Sequence, residues 1–167
     1  MSTISYKIIP YKNLIGWSIK HNDLRIQLEN LMSIHRSNQK FNIGYFITEN
    51  LSQNKKNPFM CKLIILIENR DKIIGIARTE LNDNNVNHIS AVHISSLHRG
   101  KKLCSTMLRH LINSYNDEKL PIKFSLGVEE NNIPALKCYE SIGFVIIDKQ
   151  IIDQNMTIYN MEFIKSK

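Results

Sequence analysis

Apolar positions along the chain recur in two periods, and the switches between them mark out the elements. Ser5–Pro10 (SYKIIP) is a short apolar run closed by proline, which suits an edge strand. From Asn13 to about Arg36 the residues Leu14, Ile15, Trp17, Ile19, Leu24, Ile26, Leu28, Leu31, Met32 and Ile34 mostly keep helical spacing. The polar run His21-Asn22-Asp23 interrupts it, so two helices are expected, the second capped by Asn or Asp. Asn38–Pro58 has no sustained period and reads as a long irregular segment, of the kind that often carries function.

Beyond it the period drops to two. Cys61–Glu68 (CKLIILIE) and Lys72–Glu80 (KIIGIARTE) are β-rich runs parted by Asn69-Arg70-Asp71, an antiparallel hairpin. Val86–Ser96 (VNHISAVHISS) is a third strand, followed by Leu97-His98-Arg99-Gly100. Leu103, Met107, Leu108, Leu111 and Ile112 then return to helical spacing as far as about Asn116. Pro121–Glu129 alternates as a strand. Pro134 sits early in a helix over Ala135–Ser141, with Gly143 placed to stop it, and Phe144–Ile152 and Met156–Ile164 close the chain as a hairpin around Asp153-Gln154-Asn155. The expected architecture is α+β, a mixed, mostly antiparallel sheet of about seven strands with about four helices, in a single domain over residues 1–167 without internal repeat or linker.

Composition changes this picture little. With 43% hydrophobic and 22% charged residues the chain can bury a core, which excludes a disordered or collagen-like chain. The 27 Ile and 19 Asn against 3 Ala look like the skew of an AT-rich genome, so single Asn and Lys residues carry little meaning. Cys61, Cys104 and Cys138 are widely spaced, form no CxxC pair and read as reduced, mostly buried thiols, so no metal site is expected. No secretory signal is visible, and the longest apolar run, Leu63–Ile67, is far too short to span a bilayer. A soluble, cytoplasmic protein without a membrane partner is the expectation.

Charge adds a question. Lys and Arg exceed Asp and Glu by 22 − 15 = +7, and the pI is near 9.3, so the partner should carry negative charge: nucleic acid, an anionic membrane or a phosphorylated cofactor. The loop Arg99-Gly100-Lys101-Lys102-Leu103-Cys104 lies between a strand and a helix. Its amides and the positive helix terminus suit a phosphate, with Arg99, Lys101 and Lys102 adding charge and Ser105 and Thr106 offering hydroxyls in the next turn.

A second motif names a family. Asn132, Ala135, Tyr139, Gly143 and Phe144 occupy every specified position of N-x-x-A-x-x-x-Y-x-x-x-G-F, and the chain here resembles the GNAT superfamily of acetyl-CoA-dependent N-acetyltransferases. The resemblance covers about residues 60–165 in element order. It implies acetyl-CoA or CoA as cosubstrate, bound at a splayed pair of parallel strands. The family's phosphate loop begins with Gln or Arg, has Gly three residues on and Gly or Ala two further. Arg99 fits the first position, but Lys102 and Cys104 replace the small residues, so Lys102 must either accept the dihedrals a glycine would or shift the loop.

The resemblance also distributes roles. Pantetheine would bond the backbone of Val92, His93 and Ile94, and an amide there would polarise the thioester carbonyl. Cofactor contacts fall to Arg99, Gly100, Lys101, Lys102, Leu103, Cys104, Ser105 and Asn132, the last of which also suits a helix cap. Attack needs a neutral amine. His88, eleven residues before Arg99, stands where family members place a base, with His93 and then Glu80 as the next candidates. Tyr139 is the expected acid for the departing thiolate. The implied activity is acetyl transfer to a primary amine of a small molecule or protein. The substrate end falls in Asn13–Pro58 and the last hairpin, where Asp23, Glu29 and Glu49 are acids suited to a cation. The alternative is a non-catalytic, CoA-binding or regulatory module. Nucleic-acid binding has no RNP aromatic pattern or recognition helix behind it.

Overall fold

The computed structural model describes residues 2–34, 61–82, 84–115, 122–154 and 156–165. The expected loop Asn38–Pro58 with Glu49, the helix ends near Arg36 and Asn116, Pro121 and the turn residue Asn155 lie outside the described residues. The elements run β1 (Ile4–Pro10), α1 (Tyr11–Lys20), α2 (Asn22–Ile34), β2 (Lys62–Glu68), β3 (Lys72–Leu81), β4 (Asn87–Ile94), α3 (Leu103–Asn113), β5 (Ile122–Glu129), α4 (Ile133–Ile142), β6 (Val145–Asp153) and β7 (Met156–Lys165). A single 3-10 turn, Ser96–His98, leads from β4 toward α3.

The strands form one sheet in the order β1-β2-β3-β4-β5-β7-β6. Every neighbouring pair is antiparallel except β4 and β5, whose parallel pairing consists of Asn87 with Phe124 and His88 with Ser125. The mixed sheet of seven strands with four helices agrees with the expected architecture, and the parallel pair β4–β5 agrees with the expectation carried by the family resemblance. Differences lie at element ends. α1 starts at Tyr11, two residues earlier than periodicity suggested, because Tyr11 is buried and joins the apolar stripe of Leu14 and Trp17.

β2 shows why the two faces are covered. Its alternate residues Leu63, Ile65 and Ile67 pack with α1 and α2, while Ile64 and Leu66 pack with α3 and α4. Both sets are apolar, so the strand reads as an unbroken run and not as an alternation. The β2–β3 hairpin turns on Asn69 (φ 49°) and Arg70 (φ 72°), with the Asp71 amide donating to the Glu68 carbonyl at 3.2 Å. Two successive left-handed residues form the turn type whose twist matches a hairpin. At the far edge β6 is exposed along its whole length, Ile147 and Ile151 at 54% and 72%. Among the described residues no helix is long and apolar enough to cross a membrane.

Candidate active site

Two cavities lie beside residues singled out in the sequence, and backbone irregularities in and after β4 shape both. Ile76 pairs with His93 but Arg78 pairs with Ser90, so Ala91 and Val92 together stand against Ala77. This bulge sets Ala91 at φ 52°. Extra residues of this kind re-aim a strand. β4 parts from β5 beyond the His88 rung, and the space between them is a cavity of about 310 Å³. Ser90, Ala91 and Val92 line it from β4, Gly127, Val128 and Glu129 from β5, and Asn132 and Tyr139 from α4.

Tyr139 reaches this fork because α4 is tightly bounded. Asn132 Oδ1 accepts the Ala135 amide at 3.3 Å, Pro134 occupies the first turn, and Gly143 ends the helix at φ 113°, where a Cβ would meet the Phe163 ring at 3.3 Å. Leu136, Tyr139 and Ile142 are then the buried stripe. Tyr139 is 6% exposed, burial pushes its hydroxyl up to about 12, and that hydroxyl has no hydrogen-bond partner among the described residues. Tyr139 lines the cavity, so its hydroxyl is available to whatever enters it.

The second cavity, of about 670 Å³, opens over the loop between β4 and α3. Ile94, Arg99, Gly100, Lys102, Leu103, Cys104 and Ser105 line it from that side; Lys101 does not. Gly100 has φ 77°, and Lys102 takes the left-handed conformation itself, φ 58° and ψ 13°. The loop therefore keeps a glycine-like backbone at lysine, at a cost of about 1–2 kcal/mol for the side chain. The first helical bond is Thr106 N to Lys102 O at 3.1 Å, so the amides of Leu103, Cys104 and Ser105 have no acceptor within the helix. The hydroxyls of Ser105 and Thr106 turn back to the Lys102 carbonyl at 3.0 and 3.1 Å, so they donate into the loop and not outward. Arg99 Nε donates to the Ile94 carbonyl at 3.2 Å, fixing the loop to the end of β4.

Four polar lining residues, His98, Arg109, Lys137 and Ser141, had not been expected from the sequence. Arg109 and Lys137 face the cavity from α3 and α4, raising its cations to four with Arg99 and Lys102. Each lies about one turn from a residue at its helix's start, Ser105 and Pro134, which is the spacing that could have revealed them. His98 is 6% exposed, holds Glu68 Oε1 at 3.2 Å through Nε2, and its buried Nδ1 has no partner among the described residues. The bond from His98 also holds the Glu68 carboxyl below its ordinary range. A further difference is a correction. Cys104 and Cys138 are not separate reduced thiols: α3 and α4 lie side by side, bring the two Cα atoms to 6.4 Å, and the sulfurs are joined in a disulfide. Only Cys61 is a free, buried thiol.

His88 stands at the closed end of the fork and lines neither cavity. Its Nδ1 lies 3.2 Å from Ser125 Oγ on β5, and Glu80 faces it across the β3 ladder. Burial pushes the imidazole below its usual 6.5, with Arg78 pushing the same way and Glu80 opposing. Glu80 is held by Arg78 at 2.9 Å, and Arg78 Nε donates to Ser90 Oγ at 2.9 Å. His93 lines neither cavity, and its carbonyl lies against Gly75 of β3. On α2, Glu29 is paired with Arg25 at 2.7 Å.

A profile of the acetyltransferase (GNAT) family matches residues 28–144. No curated protein matches the chain. Among solved structures, an acetyltransferase of the GNAT family from Streptococcus pneumoniae superposes with TM-score 0.64 at 16% identity, covering 98% of this chain and 100% of its own. A Salmonella typhimurium protein assigned as an acetyltransferase and solved with its cofactor acetyl-CoA gives 0.64 at 12%, covering 99% and 95%. A mutant of the spermidine N-acetyltransferase from Vibrio cholerae gives 0.58 at 17%, covering 96% and 93%. At such identities the likeness to these structures is one of fold.

Proposed function

The chain belongs to the acetyltransferase (GNAT) family, and from that premise we propose that it is a cytoplasmic, single-domain enzyme that transfers the acetyl group of acetyl-CoA to a primary amine by direct attack. The observation that carries this reading is the fork between β4 and β5, with the Tyr139 hydroxyl, unpartnered among the described residues, at its wall and a cation-lined cavity nearby. CoA phosphates take the larger cavity, against the first-turn amides of α3 and the side chains of Arg99, Lys102, Arg109 and Lys137; Lys101 adds field from outside it. The pantetheine arm lies along the opened edge of β4 at Val92, His93 and Ile94, where an amide stabilises the oxyanion of the tetrahedral intermediate.

His88 takes the proton from the incoming ammonium through water, since it sits behind the fork and not in it. Its depressed pKa keeps the ring neutral near pH 7, the state a base needs. As the carbon–sulfur bond breaks, Tyr139 gives its proton to the CoA thiolate. A hydroxyl near 12 is fully protonated at neutral pH.

The Vibrio cholerae neighbour is a spermidine N-acetyltransferase, and another neighbour is a NatC complex bound to Gag peptide and CoA, so polyamines and peptide amines head the panel. Thiol release from acetyl-CoA, measured over polyamines, peptide α-amines, lysine peptides and amino sugars, tests the activity. Turnover with at least one class is expected. CoA binding without turnover on any amine would reject the catalytic reading in favour of a CoA-binding module.

A further inference from the structure

The larger cavity is lined by a cysteine from each of its two facing helices. Cys104 is the second residue of α3 and Cys138 immediately precedes Tyr139 in α4, both are partly exposed, and their disulfide lies in the cavity wall. Around it stand His98, Arg99, Lys102, Arg109 and Lys137. A second tie, from Arg109 Nη2 to the Ser141 carbonyl, already joins the same two helices, so the packing of α3 on α4 does not depend on the sulfurs alone. The remaining thiol, Cys61, is buried in the core on the opposite face of the sheet and cannot exchange with this pair.

We propose that Cys104 and Cys138 are a thiol–disulfide exchange site for low-molecular-weight thiols, and that their redox state sets the affinity of the cavity for its phosphate ligand. The argument rests on the reading that CoA phosphates occupy this cavity. A disulfide there is neutral. A free Cys104 thiol, at a helix N-terminus among cations, ionises readily, and its thiolate occupies the positive field that the pyrophosphate needs.

The exchange balances as follows. A thiolate attacks Cys138 Sγ and forms a mixed disulfide, expelling the Cys104 thiolate, which is the better leaving group because α3 and the cations stabilise it. A second thiolate attacks the small-molecule sulfur of that mixed disulfide. Cys138 leaves and takes up a proton, and the two small thiols depart as their disulfide with the electron pair's worth of oxidation. The overall change is two thiols plus protein disulfide giving protein dithiol plus small-molecule disulfide; an oxidised small disulfide reverses it.

The test is calorimetric titration of desulfo-CoA, which has no thiol to exchange, into protein oxidised with glutathione disulfide and protein reduced with dithiothreitol, with free thiols counted in each. One free thiol is expected in the oxidised protein and three in the reduced protein. At pH 8 the reduced form should bind roughly threefold to tenfold more weakly, from one added charge near the phosphates. Held in dithiothreitol throughout, Cys138→Ala should bind like the reduced form and Cys104→Ala like the oxidised form. Equal affinity in the two redox states, or three free thiols after oxidation, overturns the exchange proposal alone. No binding in any form overturns the CoA reading and this one with it.

Discussion

Replacing Lys102 by glycine should stabilise the protein while weakening its hold on CoA. Lys102 sits at φ 58° and ψ 13°, a conformation that costs a side-chain-bearing residue about 1–2 kcal/mol. Glycine removes that cost but gives back roughly 0.5–1 kcal/mol in the entropy of a freer unfolded chain. The net gain is about 0.5–1 kcal/mol, a rise of about 1–4 °C in Tm for a chain of this size. The backbone need not move, because the Lys102 carbonyl keeps its bonds from Thr106 N, Ser105 Oγ and Thr106 Oγ1. Loss of one exposed ammonium from the cavity rim should weaken CoA binding about threefold to fivefold at low salt, with the difference shrinking as salt is added. Lys102→Ala separates the two effects: it keeps the strain and loses the charge, so its affinity should fall equally with no rise in Tm. Calorimetric melting and CoA titration of the three proteins at two ionic strengths provide the readout. A glycine variant no more stable than the alanine variant would refute the assignment of strain to this residue.

The catalytic assignments lead to further expectations. Tyr139→Phe should lower kcat about 100-fold or more while CoA affinity stays within about twofold, because the hydroxyl is asked to act only as the thiolate leaves; an unchanged kcat removes it from the acid role. The acidic limb of kcat/KM should have its midpoint below 6.5, since burial lowers the His88 pKa, and His88→Ala should flatten that limb. A mutant profile matching the wild type passes the role to His93, Glu80 or water. The same shift bears on stability. The folded state favours the neutral ring, so His88 costs nothing above about pH 6.5 and destabilises the fold as pH falls through that value, when the unfolded chain takes up the proton first. His88→Ala should therefore lose less stability between pH 7 and pH 5 than the wild type does.

Legibility followed the range of the interaction. α4 could be read closely because its signals are local: Asn132 caps it, Pro134 opens it and Gly143 closes it within a single stretch. The two-sided burial of β2 likewise follows from a run with no polar position between Leu63 and Ile67. The bulge at Ala91 had no local sign, since no glycine marks it; the mismatch between β3 and β4 that creates it exists only once the strands pair. Cys104 and Cys138 are 34 residues apart and meet only through the packing of α3 on α4, so counting cysteines could not join them. Arg109 and Lys137 carried a local sign, lying about one turn from Ser105 and Pro134, but that they share one cavity follows only from the packing of the two helices. β6 was legible as a strand of the closing hairpin, but its exposure along the whole length was not, since that depends on its place as the last strand of the sheet.

The two rungs between β4 and β5 have a mechanical consequence. Strands β1–β4 form one wing and β5–β7 another, and Asn87–Phe124 and His88–Ser125 are the hinge pins of the sheet between them. Phe124, fully buried, sits at that seam in a core shared by both wings. A ligand bonded along both open edges acts as a cross-brace over that hinge. Occupancy should therefore slow amide exchange in β4 and β5 on both sides of the gap, stiffening the sheet where its own ladder stops.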